Sequence, residues 1–271
     1  MESKTLLREP ITFIVPVGNE ETYNKCFLSS PLFAQQARDS FEFQIQPQRG
    51  FSRVARAFND GLDKAQHDLI VCLHQDVILP VNWAKKFLRH LHRLEEEGVQ
   101  IGTVGCIGSQ SDGQLVGHVY HRDRQLFPGR PLPARVQALD ELLVSFRKSS
   151  GLRFDEDLPS FFGYAPDICM EAATRGLQNF VVDAPCIHET ADRRMARRDI
   201  YSTWKFLQRK WRRQLPIHTP TGPIDGSLDY WKDMVKDYVF HVAGYQPRPW
   251  WLGLPQVKRE DVLFADTVSQ S

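Results

Sequence analysis

Asp68-Leu69-Ile70-Val71-Cys72-Leu73-His74-Gln75-Asp76-Val77-Ile78-Leu79-Pro80 is the stretch from which the fold is read. Leu69 to Leu73 is an unbroken apolar run, the pattern of a strand covered on both faces of a parallel sheet. Three polar side chains, His74, Gln75 and Asp76, follow at its carboxyl end. Open α/β sheets bind ligands beyond the carboxyl ends of their strands. An acid at that place is positioned to hold a metal or a diphosphate, and Asp76 is the first candidate. The alternative is a carboxylate that merely caps the turn into Val77.

Working outward, Ile11 to Val17 is a second buried-strand run, closed by Gly18-Asn19-Glu20-Glu21. A strand, a small-residue turn and an acid-led helix from about Glu20 make a βα unit whose helix start favours an anion. Phe41 to Gln46 alternates like a strand nearer the sheet edge. Ser52 is an N-cap candidate for a helix to about Ala65, with Val54, Ala57, Phe58 and Leu62 on one face. Asn82 can cap a helix to Glu97 that Gly98 terminates. Ile101 to Ile107 reads as a strand, Leu115 to Tyr120 as a hairpin arm, and Ala134 to Lys148 as strand, turn and strand around Asp140-Glu141. Pro166 opens a short helix with Asp167 in its first turn, ending at Gly176. Phe180 to Val182 is a last buried strand, and His188 lies just beyond it. A basic amphipathic helix is expected over Met195 to Arg213 and another over Asp229 to Val242, before a tail containing Trp250 and Trp251. Strands alternating with helices predict an α/β domain with a mostly parallel sheet.

The 271 residues are 42% hydrophobic and 25% charged, with a formal net charge of +1. That balance gives no global case for nucleic acid. Cys26, Cys72, Cys106, Cys169 and Cys186 are odd in number and show no CxxC spacing, which argues against a disulfide framework or zinc cluster. No apolar run reaches the length of about 18 residues that a membrane span needs, and the first residues lack the apolar core of a signal peptide. The expected location is cytoplasmic.

Three blocks in order, Ile11 to Glu20, Phe51 to Pro80 and Gly151 to His188, resemble the family 2-like glycosyltransferases of GT-A fold. The closer likeness is to bacterial capsule and surface-polysaccharide glycosyltransferase-like proteins whose central strand ends in His-Gln-Asp-Val, here His74 to Val77. The resemblance covers about residues 10 to 215. It implies a GT-A-like nucleotide-binding domain over residues 1–215 and a helical, aromatic extension over 216–271. It also implies transfer of a sugar from a nucleotide-sugar to a hydroxyl of a glycan or lipid-linked acceptor, with inversion, and a divalent cation, Mn²⁺ or Mg²⁺. Departing phosphates need such a charge, and the acceptor hydroxyl needs a base.

Carried onto this chain, the likeness gives the metal to Asp76 and His188 and the base role to Asp167. Pro16, Val17, Asn19, Glu20, Asn59, His74, Gln75, Asp76 and Asp140 go to the nucleotide-sugar. Each has a plainer alternative: a polar strand end for His74, an interior histidine for His188, a dipole-favouring acid for Asp167, a turn residue for Asp140, a surface amide for Asn59. The chain departs from the pattern where His74 replaces the first acid of an Asp-x-Asp pair. It departs again at Gln46 to Arg49, where an acidic turn is usual, and at Ala165-Pro166, where relatives carry an acid. The nine Lys and Arg of Ala191 to Arg213 suit phosphates, or an anionic membrane surface at the periphery, or simply a solvated helix face. Two rivals remain at this level: a sugar-phosphate nucleotidyltransferase, and a non-catalytic nucleotide- or glycan-binding relative.

Overall fold

The computed structural model describes residues 9–34, 41–127, 130–189, 197–226 and 253–264. The first unit is β1 (Ile11–Val17) and the helix α1 (Glu20–Tyr23), which continues as a π-helical turn over Asn24–Leu28. Next come β2 (Phe43–Arg49), α2 (Val54–Lys64), β3 (Leu69–Leu73), the two-residue β4 (Val77–Ile78) and α3 (Trp83–Glu96). Short strands follow: β5 (Ile101–Gly105), β6 (Ile107–Ser109), β7 (Leu115–Gly117), β8 (Val119–His121), β9 (Arg124–Leu126), β10 (Ala134–Val136) and β11 (Ala138–Leu139). The chain goes on through β12 (Leu143–Arg147), α4 (Tyr164–Thr174), β13 (Gln178–Val181), β14 (Ile187–His188) and α5 (Arg197–Lys210). A hairpin of β15 (Ile217–Thr219) and β16 (Gly222–Ile224), then the short α6 (Arg259–Leu263), complete the described elements.

Seven strands form the main sheet in the order β10-β13-β5-β12-β3-β1-β2. β13, β5, β3, β1 and β2 run one way, and β12 and β10 run against them. The period-2 geometry of strands divides β3 between two cores. Leu69, Val71 and Leu73 join one apolar cluster with Trp83, Phe87 and Leu91 of α3. Ile70 and Cys72 join the other, with Phe58 of α2, Ile168 of α4 and Leu207 of α5. Each such fully buried large side chain stabilises the fold by roughly 1.5–3 kcal/mol. The expectation of a mostly parallel α/β sheet with helices on both faces is met.

Local differences have physical causes. The helix expected from Pro166 starts at Tyr164, because Gly163 at φ +84° supplies the turn ahead of it; Pro166 is tolerated in the first turn, where its missing N–H would be unpaired anyway. Arg53, not Ser52, occupies the N-cap of α2, and neither it nor Asn82 ahead of α3 makes a side-chain capping bond. The strand expected over Ile101 to Ile107 breaks at Cys106, and its second half joins a separate sheet, β11-β6-β7. Gly61 lets α2 close on β1, since a Cβ there would lie 2.3 Å from Ile14 Cγ2. The first part of the basic helix, the helix candidate Asp229 to Val242, and Trp250 and Trp251 lie outside the described residues. No described helix is long and apolar enough to cross a membrane.

Candidate functional site

His74, Gln75 and Asp76 bridge two sheets. Behind them is β3; ahead, β4 pairs with β14 in a small sheet ordered β4-β14-β8-β9. The antiparallel pairing His188↔Val77 sets His188 beside Asp76, and the Glu189 N–H donates to the Asp76 carbonyl at 2.8 Å. His188 Nε2 lies 3.4 Å from Asp76 Oδ2, and His74 Nδ1 lies 3.9 Å from Asp76 Oδ1. One ligand atom from each of His74, Asp76 and His188 fits within 4.8 Å of the others. His188 is remote in sequence from His74 and Asp76 and reaches them through the pairing of β14 with β4.

The electrostatics suit a cation. Burial would raise the Asp76 carboxyl, but the hydrogen bond and charge of His188, with His74, hold it below its ordinary value, so it stays ionised. Burial, then the like charge of His188, lowers the His74 imidazole against the pull of Asp76 and Asp140. Neutral imidazole and ionised carboxylate are the forms a metal takes. Asp76 Oδ1 is buried and has no hydrogen-bond partner among the described residues. An orphaned buried carboxylate oxygen costs stability, and a cation would satisfy it. Two imidazole nitrogens and one carboxylate make a mixed donor set, unlike the oxygen shell that Mg²⁺ prefers.

Two hollows flank this group. One, of about 360 Å³, is lined by Pro16, Val17, Gly18, His74, Gln75 and Asp76, with Phe51 and Phe161 among its apolar walls. Phe161 is 49% exposed, unusual for a phenyl ring. Gln75 Oε1 accepts from the N–H groups of Gly18 and Asn19 at 2.9 and 3.0 Å, tying the β1 loop to the end of β3. Asn19 in turn caps α1 by accepting from the Thr22 N–H. Glu20 pairs with Arg49 at the end of β2, and the Arg49 guanidinium lies 5.6 Å over the Tyr23 ring. The other hollow, of about 590 Å³, has Asp140 and His188 against apolar walls that include Leu126, Phe127 and Leu142. Asp140 Oδ1 accepts from the Leu142 N–H at 3.0 Å. His121, which the sequence reading passed over, reaches this hollow and packs edge-on to His188 at 5.9 Å.

Asn59 and Asp167 go elsewhere. The Asn59 amide is buried, donating to the Phe154 carbonyl and the Glu156 carboxylate and accepting from the Phe154 N–H; Ala57 of the same helix lines the pocket instead. Asp167 is 3% exposed. Its oxygens accept from Lys210 Nζ and Trp211 Nε1, each at 2.8 Å, and Lys210 also reaches Asp155 at 2.7 Å. Burial raises the Asp167 carboxyl against the charge of Lys210. None of its partners belongs to the His74, Asp76 and His188 group. The sequence reading also passed over Glu141. Its Oε1 accepts from the Gly163 N–H, and the Tyr164 hydroxyl donates to its backbone carbonyl.

A family model described as a glycosyltransferase like family matches residues 12–209. The chain is 22% identical over 175 residues to "ATP synthase subunits region ORF 6" of Fuscovulum blasticum, across 60% of this chain and 68% of that one. Among solved structures it is similar to mannosyltransferase PcManGT from Pyrobaculum calidifontis in complex with GDP-Man and Mn2+, with TM-score 0.49, 13% identity, and coverage of 86% of this chain and 70% of that one. It is also similar to GalNAc-T7 with UDP, GalNAc and Mn2+, with TM-score 0.48, 12% identity, and coverage of 88% and 55%.

Proposed function

We propose, from the premise that this chain belongs to the glycosyltransferase-like family, that it moves a hexose from a nucleotide-sugar to a hydroxyl acceptor with inversion at the anomeric carbon. The observation that carries the reading is the buried Asp76 Oδ1, which accepts no hydrogen bond, within the His74, Asp76 and His188 group, at the wall of a pocket of about 360 Å³. The nucleotide lies in that pocket, against Pro16, Val17 and the Asn19 and Glu20 turn, with Phe51 and Phe161 offering ring faces to a base. Gln75 holds the turn in place. His74, Asp76 and His188 hold a divalent cation, which when bound supplies positive charge against the departing diphosphate.

The acceptor enters the second hollow, where Asp140, His121, His188 and Thr221 are the polar residues beside the apolar wall. The cell-surface glycan role, on lipid-linked acceptors at the cytoplasmic membrane face, rests on the motif likeness of His74 to Val77. So does the division into a transferase domain over 1–215 and an extension over 216–271.

The test is a thermal-shift screen of UDP, GDP and their sugars, with and without Mn²⁺ or Mg²⁺, on wild type and Asp76→Ala. Ligand bound to the folded state alone raises the melting temperature. A rise that needs both nucleotide and cation, and vanishes in Asp76→Ala, is expected. No shift with any nucleotide refutes the reading.

A further inference from the structure

The small sheet that carries His188 has little of its own to hold it. Strands usually run about 5–6 residues, whereas β4 and β14 have two residues each and β8 and β9 three. Strands this short make few ladder bonds, so what packs on the sheet decides where His188 stands. An outer strand such as β9 also leaves a row of backbone groups to be paired or covered.

Residues 253–264 meet both needs. At β9 the Gln125 N–H donates to the Pro255 carbonyl at 3.0 Å, the Val257 N–H donates to the Asp123 carbonyl at 2.9 Å, and Arg124 forms an antiparallel bridge with Gln256. The Gln256 amide donates to Asp123 Oδ2 at 2.7 Å. The chain then enters α6 and reaches the opposite edge of the sheet, where the Val81 N–H donates to the Leu263 carbonyl at 3.0 Å. Val262 is buried in a cluster with Cys26, Ile78 and Ile187. Ile78 and Ile187 are the strand pair one place along from Val77 and His188. Arg259 pairs with Glu189, whose N–H donates to the Asp76 carbonyl. One short segment thus holds the far edge of the sheet and the two strands beside which Asp76 and His188 meet.

We infer that residues 253–264 are a clamp that positions His188 against Asp76, so that the C-terminal segment sets the cation affinity of the His74, Asp76 and His188 group. This rests on the cation reading above. Val262 and Arg259 are positioning residues: Val262 acts through the Ile78 and Ile187 pair, and Arg259 through Glu189. Groups that orient metal ligands from outside control about 10–100-fold in affinity.

The experiment titrates Mn²⁺ into the full chain without nucleotide, reads free Mn²⁺ by its electron paramagnetic resonance signal, and follows amide hydrogen exchange at Glu189. Val262→Asn places an amide with no partner among apolar side chains and lifts α6, while Val262→Ile keeps the contact. Val262→Asn is expected to weaken Mn²⁺ binding about 10–100-fold and to speed Glu189 exchange, with Val262→Ile within about threefold of wild type. Leu91→Ala, in the core beneath α3, is the control: it lowers the urea midpoint and keeps the Mn²⁺ affinity. An equal loss of affinity in Leu91→Ala would report general loosening and overturn the inference. So would Mn²⁺ binding by Val262→Asn within about threefold of wild type, or unchanged Glu189 exchange beside weakened binding. If Val262→Asn does not fold, Arg259→Ala against Arg259→Lys makes the same comparison at an exposed position. Absence of Mn²⁺ binding by wild type refutes the cation reading and the inference with it, and is told apart because wild type and variants then behave alike.

Discussion

Replacing Lys210 with methionine leaves the buried Asp167 carboxylate with Trp211 as its remaining hydrogen-bond donor. The Asp167 side chain is 4% exposed and Lys210 25%, so solvent does little to screen the lost partner. Removing one member of a buried pair costs about 3–5 kcal/mol. A ceiling comes from protonation: the variant can fold with Asp167 neutral, at a cost of about 1.4 kcal/mol for each pH unit above the unfolded value near 3.9. That is about 4 kcal/mol at pH 7 and about 1.5 kcal/mol at pH 5. In the variant the native state binds a proton that the unfolded state has lost, so its deficit shrinks as pH falls. Urea unfolding of wild type and Lys210→Met at pH 7 and 5 is the assay, with a deficit of about 3–4 kcal/mol expected at pH 7 and less than half of that at pH 5. Asp167→Asn combined with Lys210→Met removes the charge and recovers most of the loss. A deficit under about 1 kcal/mol at pH 7, or one that does not change between the two pH values, refutes the view of Asp167 as one half of a structural ion pair.

Gly163→Ala forces φ +84° on an alanine and sets its Cβ 2.3 Å from Thr203 Cγ2 of α5. Strain and overpacking together destabilise by about 2–4 kcal/mol, read as a lowered urea midpoint; a midpoint unchanged from wild type argues against this approach of α5. Phe58 is fully buried, with Phe154 at 4.8 Å and Tyr164 at 5.0 Å. Phe58→Ala costs about 3–5 kcal/mol, and an effect below about 1.5 kcal/mol would mean that this cluster collapses to fill the space. Burial alone would raise the Glu9 carboxyl, but hydrogen bonds from His92 and Arg147 and their charges bring it below its ordinary value of 4.5. Its folded pKa is depressed, so its stabilisation is present above that value and is lost as pH falls through the folded one. Glu9→Gln should therefore be about 1–2 kcal/mol less stable than wild type at pH 7, with the gap narrowing as pH falls through the depressed folded value; parallel pH profiles would rule the pairing out.

Two features of the site were legible because strand ends announce themselves. Continuous apolar runs located β1 and β3, a polar residue at the end of β3 gave Asp76, and His188 was found a short loop beyond the last buried strand. His121 carried no such signal, since it ends a three-residue strand whose partners β9 and β14 cannot be named from spacing. Phe161 and Phe51 looked like any loop aromatics until the fold put them on one pocket. The partners of Asp167 were not legible for a different reason. A first-turn acid has the same sequence appearance whether it meets solvent, substrate or a lysine 43 residues further along the chain.

The His74, Asp76 and His188 group stands as a partition with a chamber on each side, His74 and Asp76 facing one and His188 facing the other. On the proposed reading, donor and acceptor come in from different hollows and meet beside that group. Neither obstructs the other's path, so the protein imposes no steric order of addition. A spent nucleotide then competes with the donor while leaving the acceptor's chamber open, which is the inhibition pattern of a random-order, two-substrate enzyme.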